Sequence, residues 1–335
     1  MKAFIIKSSK IMLKKHHYIK NIAKIIKTKL KELKLRPLKR LSVFIRKNKR
    51  FYSTPCLRGK EKLFFKILIA NELAPTEAIR REIAIIKFLN AQKVKINFPP
   101  LVTSDNKKFP YWYLTQYFEG KLLGNFYKLN LNKRKYIPLL VEALFSLQRI
   151  SKKELEKISK KKEFFLWQRS FDGYSKMIKS YRRGIEKKLV KKIDFKKIYQ
   201  LFEQSKKIFK KSPLVLAHGD FTLANFICTS EKLVVADWEQ AHLNNFVYDL
   251  SHLWIQLWRY PDWQKSLISE FIQRLSKNKI EEFKDLFRIV IISEALGELR
   301  WSINLCDKKY KKGATEAALK TIKAALGGFN NLISL

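Results

Sequence analysis

The segment LAHGDFTLAN at 216–225 places His218, Gly219, Asp220 and Asn225 within eight residues, and Asp237 follows in ADWEQ at 236–240. A loop aspartate beside a glycine can accept the proton of a hydroxyl, or orient that hydroxyl. An amide oxygen and a carboxylate are hard donors of the kind magnesium takes, together with substrate phosphates. The four identities of H-G-D-x4-N should arise by chance in about one chain of this length in several hundred. His218 reads as a brace for the loop rather than as a base.

The elements around these residues are short apolar runs: PLVLA at 213–217, FICT at 226–229 and LVVA at 233–236. The last two, joined by Ser230, Glu231 and Lys232, read as a hairpin centred on Glu231. In that register Asn225 lies opposite Asp237 and shares a face with Ile227, Thr229, Leu233 and Val235. Opposed residues have Cβ atoms about 4.5–5.5 Å apart. The expected cradle for one divalent ion is therefore Asn225 with Asp237, and Asp220 stands at its mouth.

A chain of 335 residues makes one large domain or two lobes. With 46% hydrophobic and 13% aromatic residues, wholesale disorder is excluded. The 71 basic against 29 acidic residues give +42, which draws anions such as nucleic acid, acidic lipid or phosphorylated substrates, or simply solvates the surface. Cys56, Cys228 and Cys306 have neither disulfide nor metal spacing, which fits a reducing compartment. No apolar run reaches the roughly 20 residues of a membrane helix. The expectation is a cytoplasmic protein, with peripheral contact at the inner membrane face left open.

Residues 1–60 hold 20 basic residues against the single acid Glu32. Within them, Ile19, Ile22, Ala23, Ile26, Leu30 and Leu33 recur at helical spacing, with lysines on the other side. This helix either lies on an anionic membrane or nucleic acid, or packs on the domain. Pro37 ends it. RLSVFI, RFYSTPCL and EKLFFKIL (40–45, 50–57, 61–68) then read as strands. A helix follows, with Thr76 as N-cap and Ile79, Ile83 and Ile86 as its apolar stripe, and then strands in PPLVT and YWYLTQYF. The expected architecture is α+β: a basic helical extension (1–37), a small antiparallel-sheet lobe with one main helix (38–119) and a mostly helical lobe (120–335).

HGDFTLANF, VVADWEQA and VYDLSHLW together resemble the aminoglycoside phosphotransferase and choline kinase group, small-molecule kinases of protein-kinase-like fold. The resemblance spans about 38–335 and is strongest at 215–254. It implies Asp220 as catalytic base, Asn225 and Asp237 as Mg2+ ligands, and Asp249 as a brace for the loop. Glu239 either supports the metal or belongs to the surface. It also implies a lysine ending the third strand, paired with a glutamate on the next helix, to hold nucleotide phosphates. Lys66 and Glu82, sixteen residues apart, match. LTQYFEG matches the hinge, where backbone groups of Gln116, Tyr117, Phe118 and Glu119 would meet the adenine and Gly120 would free the turn. The first hairpin loop, RKNKR, departs from the pattern by lacking glycine, and Lys47, Lys49 and Arg50 would meet phosphate by charge instead.

The implied reaction is ATP- and Mg2+-dependent transfer of the γ-phosphoryl group to a hydroxyl of a small molecule, sugar or envelope glycan. The basic surface favours an anionic acceptor over a polycationic one. Trp254, Trp258, Tyr260, Trp263 and Trp301 would either stack on a sugar or fill the core. The alternative is a catalytically inactive kinase-like module that binds nucleic acid or anionic membrane. A protein kinase fits less well, since Asp-Trp-Glu stands where Asp-Phe-Gly would and no Ala-Pro-Glu follows.

Overall fold

The computed structural model describes residues 21–39, 50–69, 72–92, 94–125, 128–131, 134–150, 152–159, 167–302 and 307–335. The chain divides into two compact units, Met1–Ala91 with Pro99–Phe118 and Gln92–Phe98 with Glu119–Leu335. The expected strand at 41–45 and the loop residues Lys47 and Lys49 lie outside the described residues, as does Cys306.

The first unit is built on an antiparallel sheet of β1 (Arg36–Pro37), β2 (Phe51–Arg58), β3 (Glu61–Leu68), β4 (Leu101–Asp105) and β5 (Trp112–Gln116), in the order β1-β2-β3-β5-β4. Period-two alternation along β3 gives it two different faces. Leu63, Phe65 and Ile67 pack into one cluster with Tyr52, Cys56, Trp112 and Leu114. Ile22, Ile26 and Leu30 of the helix α1 (21–32) fill the same cluster. The apolar stripe of α1 is thus covered by the sheet, while Lys24, Lys27 and Lys31 face solvent. Packing on the domain, not an open apolar face, is what this stripe does.

Lys66 takes the opposite parity on β3. There it meets Glu82 of α2 (Leu73–Ala91). Helix α2 begins three residues before the expected cap, and the Thr76 amide donates to the Glu72 carbonyl at 3.1 Å. Thr76 therefore lies inside the first turn and caps nothing. Ile79, Ile83 and Ile86 are buried as expected, with Glu82 between them.

The second unit is mostly helical: α3 (Tyr136–Gln148), α4 (Lys152–Ser159), α5 (Phe171–Gly184), α6 (Lys187–Val190), α7 (Phe195–Gln204), α8 (Lys206–Lys211), α9 (Tyr248–Gln256), α10 (Pro261–Gln273), α11 (Ile280–Ser302), α12 (Lys308–Gly327) and α13 (Phe329–Ile333). Helix α11 is the hub, with Phe283, Phe287, Val290, Ile291 and Leu296 fully buried. Two small sheets lie among the helices: β6 (Lys121–Leu122), β8 (Phe226–Cys228) and β9 (Leu233–Val235) in one, β7 (Leu214–Ala217) and β10 (His242–Asn245) in the other. A Cβ on Gly120 would come within 2.6 Å of the Cys228 carbonyl, so a close approach of backbones fixes glycine there. Trp254 and Trp263 are core residues, each 2% exposed, and of the expected sugar-stacking set only Trp301 is well exposed, at 39%. Among the described residues no helix is long and apolar enough to cross a membrane.

Candidate active site

In the second unit, β7 delivers the chain to His218 and the loop turns at Gly219. Its φ is +86°, and a Cβ there would collide with the Gln240 carbonyl, so glycine is required. The loop is pinned from α9. Asp249 accepts the His218 N–H at 2.7 Å on Oδ2 and the Gly219 N–H at 3.1 Å on Oδ1. Burial raises the Asp249 carboxyl above the usual range, against the pull of His218 and these two bonds. His218 is fully buried; its Nδ1 accepts the Asp220 N–H at 3.3 Å, which leaves Nε2–H to donate to the Ala236 carbonyl at 3.0 Å. Both ring nitrogens are spent on backbone, which is bracing chemistry.

Asp220 itself is more open, with 38% of its side chain exposed. The Asn225 Nδ2 donates to its carbonyl and to its Oδ2, both at 2.9 Å. Its Oδ1 faces the His252 Nε2 at 3.5 Å. Burial pushes the Asp220 carboxyl up, but the contact with His252, that ring's charge and the Asn225 bond outweigh it, and the group is held below the usual range. Asp220 is a fixed, ionised, partly exposed carboxylate.

The hairpin differs from the sequence reading by one residue. Phe226 pairs with Val235, Ile227 with Val234 and Cys228 with Leu233. Asn225 thus stands opposite Ala236, whose N–H donates to the Asn225 carbonyl at 2.9 Å, and not opposite Asp237. The cause is a tighter turn. Thr229 N–H donates to the Lys232 carbonyl, and Thr229 Oγ1 accepts from the Glu231 and Lys232 amides, leaving a two-residue loop. Asp237 comes one residue beyond the pairing and is turned by a left-handed backbone, φ +67° and ψ +67°. A carboxylate oxygen of Asp237 and one of Glu239 lie within 4.8 Å of each other. Since Asn225 spends its Nδ2 on Asp220, its Oδ1 is the atom left for a cation. An oxygen-only set of Asn225, Asp237 and Glu239 fits a hard divalent ion.

In the first unit, Lys66 Nζ lies 2.8 Å from Glu82 Oε2, with side chains 9% and 1% exposed. The ammonium also sits 4.8 Å from the centroid of the Phe51 ring. The hinge residues are partly committed already: the Gln116 N–H donates to the Pro100 carbonyl and the Tyr117 N–H to the Lys62 carbonyl. These two amides are therefore not donors for an adenine edge.

Sequence reasoning missed the residues behind Asp220. His252 lies one turn after Asp249 on α9, and its Nδ1 contacts Glu294 Oε2 of α11 at 2.8 Å. Burial opposes the His252 charge, but Asp220 and Glu294 raise its pKa to about 10. Glu298, one turn further along α11, is raised to about 7 by burial and the Glu294 charge, against the pull of His252. The only hint in the sequence was that His252 shares a helical face with Asp249, three residues apart.

The sequence profile of the phosphotransferase enzyme family matches residues 57–285. No curated protein matches the chain. Similar solved structures include the GDP complex of wild-type aminoglycoside 2'-phosphotransferase-IIIa, at 12% identity and TM-score 0.56, covering 85% of this chain and 90% of that one. The streptomycin-ATP-APH(2")-IIa ternary complex aligns at 14% identity and TM-score 0.57, over 91% of this chain and 98% of that one. ADP-bound aminoglycoside phosphotransferase APH(2'')-Ib aligns at 15% identity and TM-score 0.55, over 90% and 99%. Likeness at this level of identity carries the fold, and the profile carries the family. The chain belongs to the phosphotransferase enzyme family and has a kinase-like fold.

Proposed function

We propose that the protein transfers the γ-phosphoryl group of ATP, with Mg2+, to a hydroxyl of a small molecule or glycan. The observation that carries this reading is the state of Asp220, an ionised carboxylate fixed from two sides and still 38% exposed. A hydroxyl placed against it is aligned for in-line attack on phosphorus. The acceptor O–P bond forms as the bond to the leaving ADP breaks, and the hydroxyl proton passes to the Asp220 carboxylate and then to water. Asn225, Asp237 and Glu239 would hold magnesium, which supplies neutralisation of phosphate charge. Lys66, kept in place by Glu82, would hold the nucleotide phosphates. Backbone groups of Phe118 and Glu119 are the hinge groups proposed for the adenine. Solved neighbours carry GDP, ADP, or ATP with streptomycin. The same two ligand classes, a nucleotide and a hydroxyl-bearing small molecule, are proposed for this chain.

The test is magnesium-dependent ATP turnover against sugars, aminoglycosides, choline and lipid-linked glycans, with Asp220→Ala alongside. At least one acceptor should stimulate the wild type and not the variant. Equal turnover by both proteins with every acceptor would remove the reading.

A further inference from the structure

Helix α9 grips the catalytic loop twice. Asp249 takes the loop's backbone amides, and His252, one turn later on the same face, reaches the Asp220 side chain. We propose that His252 and Glu294 are positioning residues for Asp220: Glu294 orients the imidazolium, and His252 with Asn225 fixes both carboxylate oxygens toward the acceptor hydroxyl. This rests on the phosphotransfer reading above.

The geometry defines the roles. Glu294 Oε2 lies 2.8 Å from Nδ1, and Asp220 Oδ1 lies 3.5 Å from Nε2. Carboxylates facing both nitrogens favour an N–H at each, which is the cationic ring. The Gln256 amide is placed with its nitrogen 3.3 Å from the same Nε2, and a protonated ring requires that amide turned so that its oxygen takes this side. The Tyr248 ring stacks over His252, with centroids 6.2 Å apart and planes 19° apart, which restricts rotation of the imidazole. The charged and titratable groups that face His252 are Asp220 from the loop, Glu294 and Glu298 from α11, and Tyr248 and Asp249 from its own helix. Arg169 stands over the Tyr248 ring at 5.6 Å.

An imidazolium cannot take the proton that Asp220 receives, so His252 is no relay. Its charge also weakens Asp220 as a base. That trade suits this reaction class. In a loose transition state charge lies mainly on the transferring group and positioning carries the rate, so a well-aimed carboxylate matters more than a strong one. Glu294 keeps the imidazole charged despite its burial, and through it holds Asp220 in place.

The experiment uses the full chain labelled with 15N-histidine. Five histidines give a short spectrum, and His252→Gln assigns the signal. Both His252 nitrogens should be protonated at pH 8 in the wild type, and Glu294→Gln should lower the titration midpoint by at least about one unit. In ATP turnover with Mg2+, His252→Gln and Glu294→Gln should each lower kcat by about 10- to 100-fold with KM for ATP unchanged. Glu294→Asp should restore part of kcat. The alkaline limb of the kcat–pH profile should move to lower pH in Glu294→Gln, which a purely structural residue would not cause. A wild-type His252 that titrates near its ordinary value, or wild-type kcat in folded His252→Gln and Glu294→Gln, would overturn the proposal. If His252→Gln does not fold, the Glu294→Gln titration and kcat decide alone. A wild type without turnover would instead defeat the phosphotransfer reading, and the positioning role with it.

Discussion

Two buried ion pairs of the same 2.8 Å length, Lys66–Glu82 in the first unit and His252–Glu294 in the second, are built differently. Lys66 and Glu82 are sixteen residues apart and join a strand to the helix that follows it, with side chains 9% and 1% exposed. His252 and Glu294 are 42 residues apart and join two helices, with side chains 22% and 10% exposed. The second pair has a third member, Asp220, and its cation is an imidazole. The first pair is almost completely buried, with the Lys66 ammonium also 4.8 Å from the centroid of the Phe51 ring. The second is an open chain of charges that ends on an exposed carboxylate. The two pairs thus differ in burial and in how far apart in the sequence their partners lie.

The largest expected effect comes from breaking the drier pair. Glu82→Ala leaves a buried ammonium without its carboxylate and should cost about 3–5 kcal/mol of stability, read from the denaturant midpoint. Replacing both partners, Lys66→Met with Glu82→Leu, should recover most of that loss while nucleotide affinity by calorimetry is lost. Full stability together with full nucleotide affinity in the double variant would contradict the role given to Lys66.

In the second pair, Glu294→Gln should cost less, about 1–3 kcal/mol, because the amide can still accept a hydrogen bond. The pH dependence sharpens the contrast. A histidine whose folded pKa is raised from 6.5 to about 10 contributes stability that is fully present below 6.5 and is lost as pH rises through about 10. Stability should therefore decline between about pH 7 and 10 in the wild type, and His252→Gln should flatten that slope. The smallest effect concerns Glu298. Its folded pKa is raised from 4.5 to about 7, so the folded state binds the extra proton and stability falls as pH rises through that interval. Glu298→Gln should be slightly more stable than wild type at pH 8, and a less stable variant there would contradict the burial argument.

The same contrast explains what was legible in the sequence. Strand β3 was read to the residue, because Leu63, Phe65 and Ile67 alternate with Phe64, Lys66 and Leu68 and a charged member stands out. Glu82 was implied by the family resemblance, and its place beside Ile79, Ile83 and Ile86 agreed with it. Both are local patterns. The hairpin was recognised but set one residue out of register, because the side chain of Thr229 shortens the turn and no periodicity reports that. The pairing of Asn225 with Asp237 fell with it, since Asn225 stands opposite Ala236. Glu294 and Glu298 lay in a helix that reads as core, and only the packing of α11 on α9 brings Glu294 to the ring of His252. The apolar stripe of α1 and the lysines opposite it were legible, but whether the stripe covers the domain or an anionic surface was not.

The most direct test of the account is one comparison, wild type against Asp220→Asn, in magnesium-dependent phosphoryl transfer from ATP, with nucleotide affinity measured on both by calorimetry. The account predicts equal affinity and a loss of about 10²- to 10⁴-fold in transfer for the variant. Transfer at the wild-type rate in Asp220→Asn would contradict it.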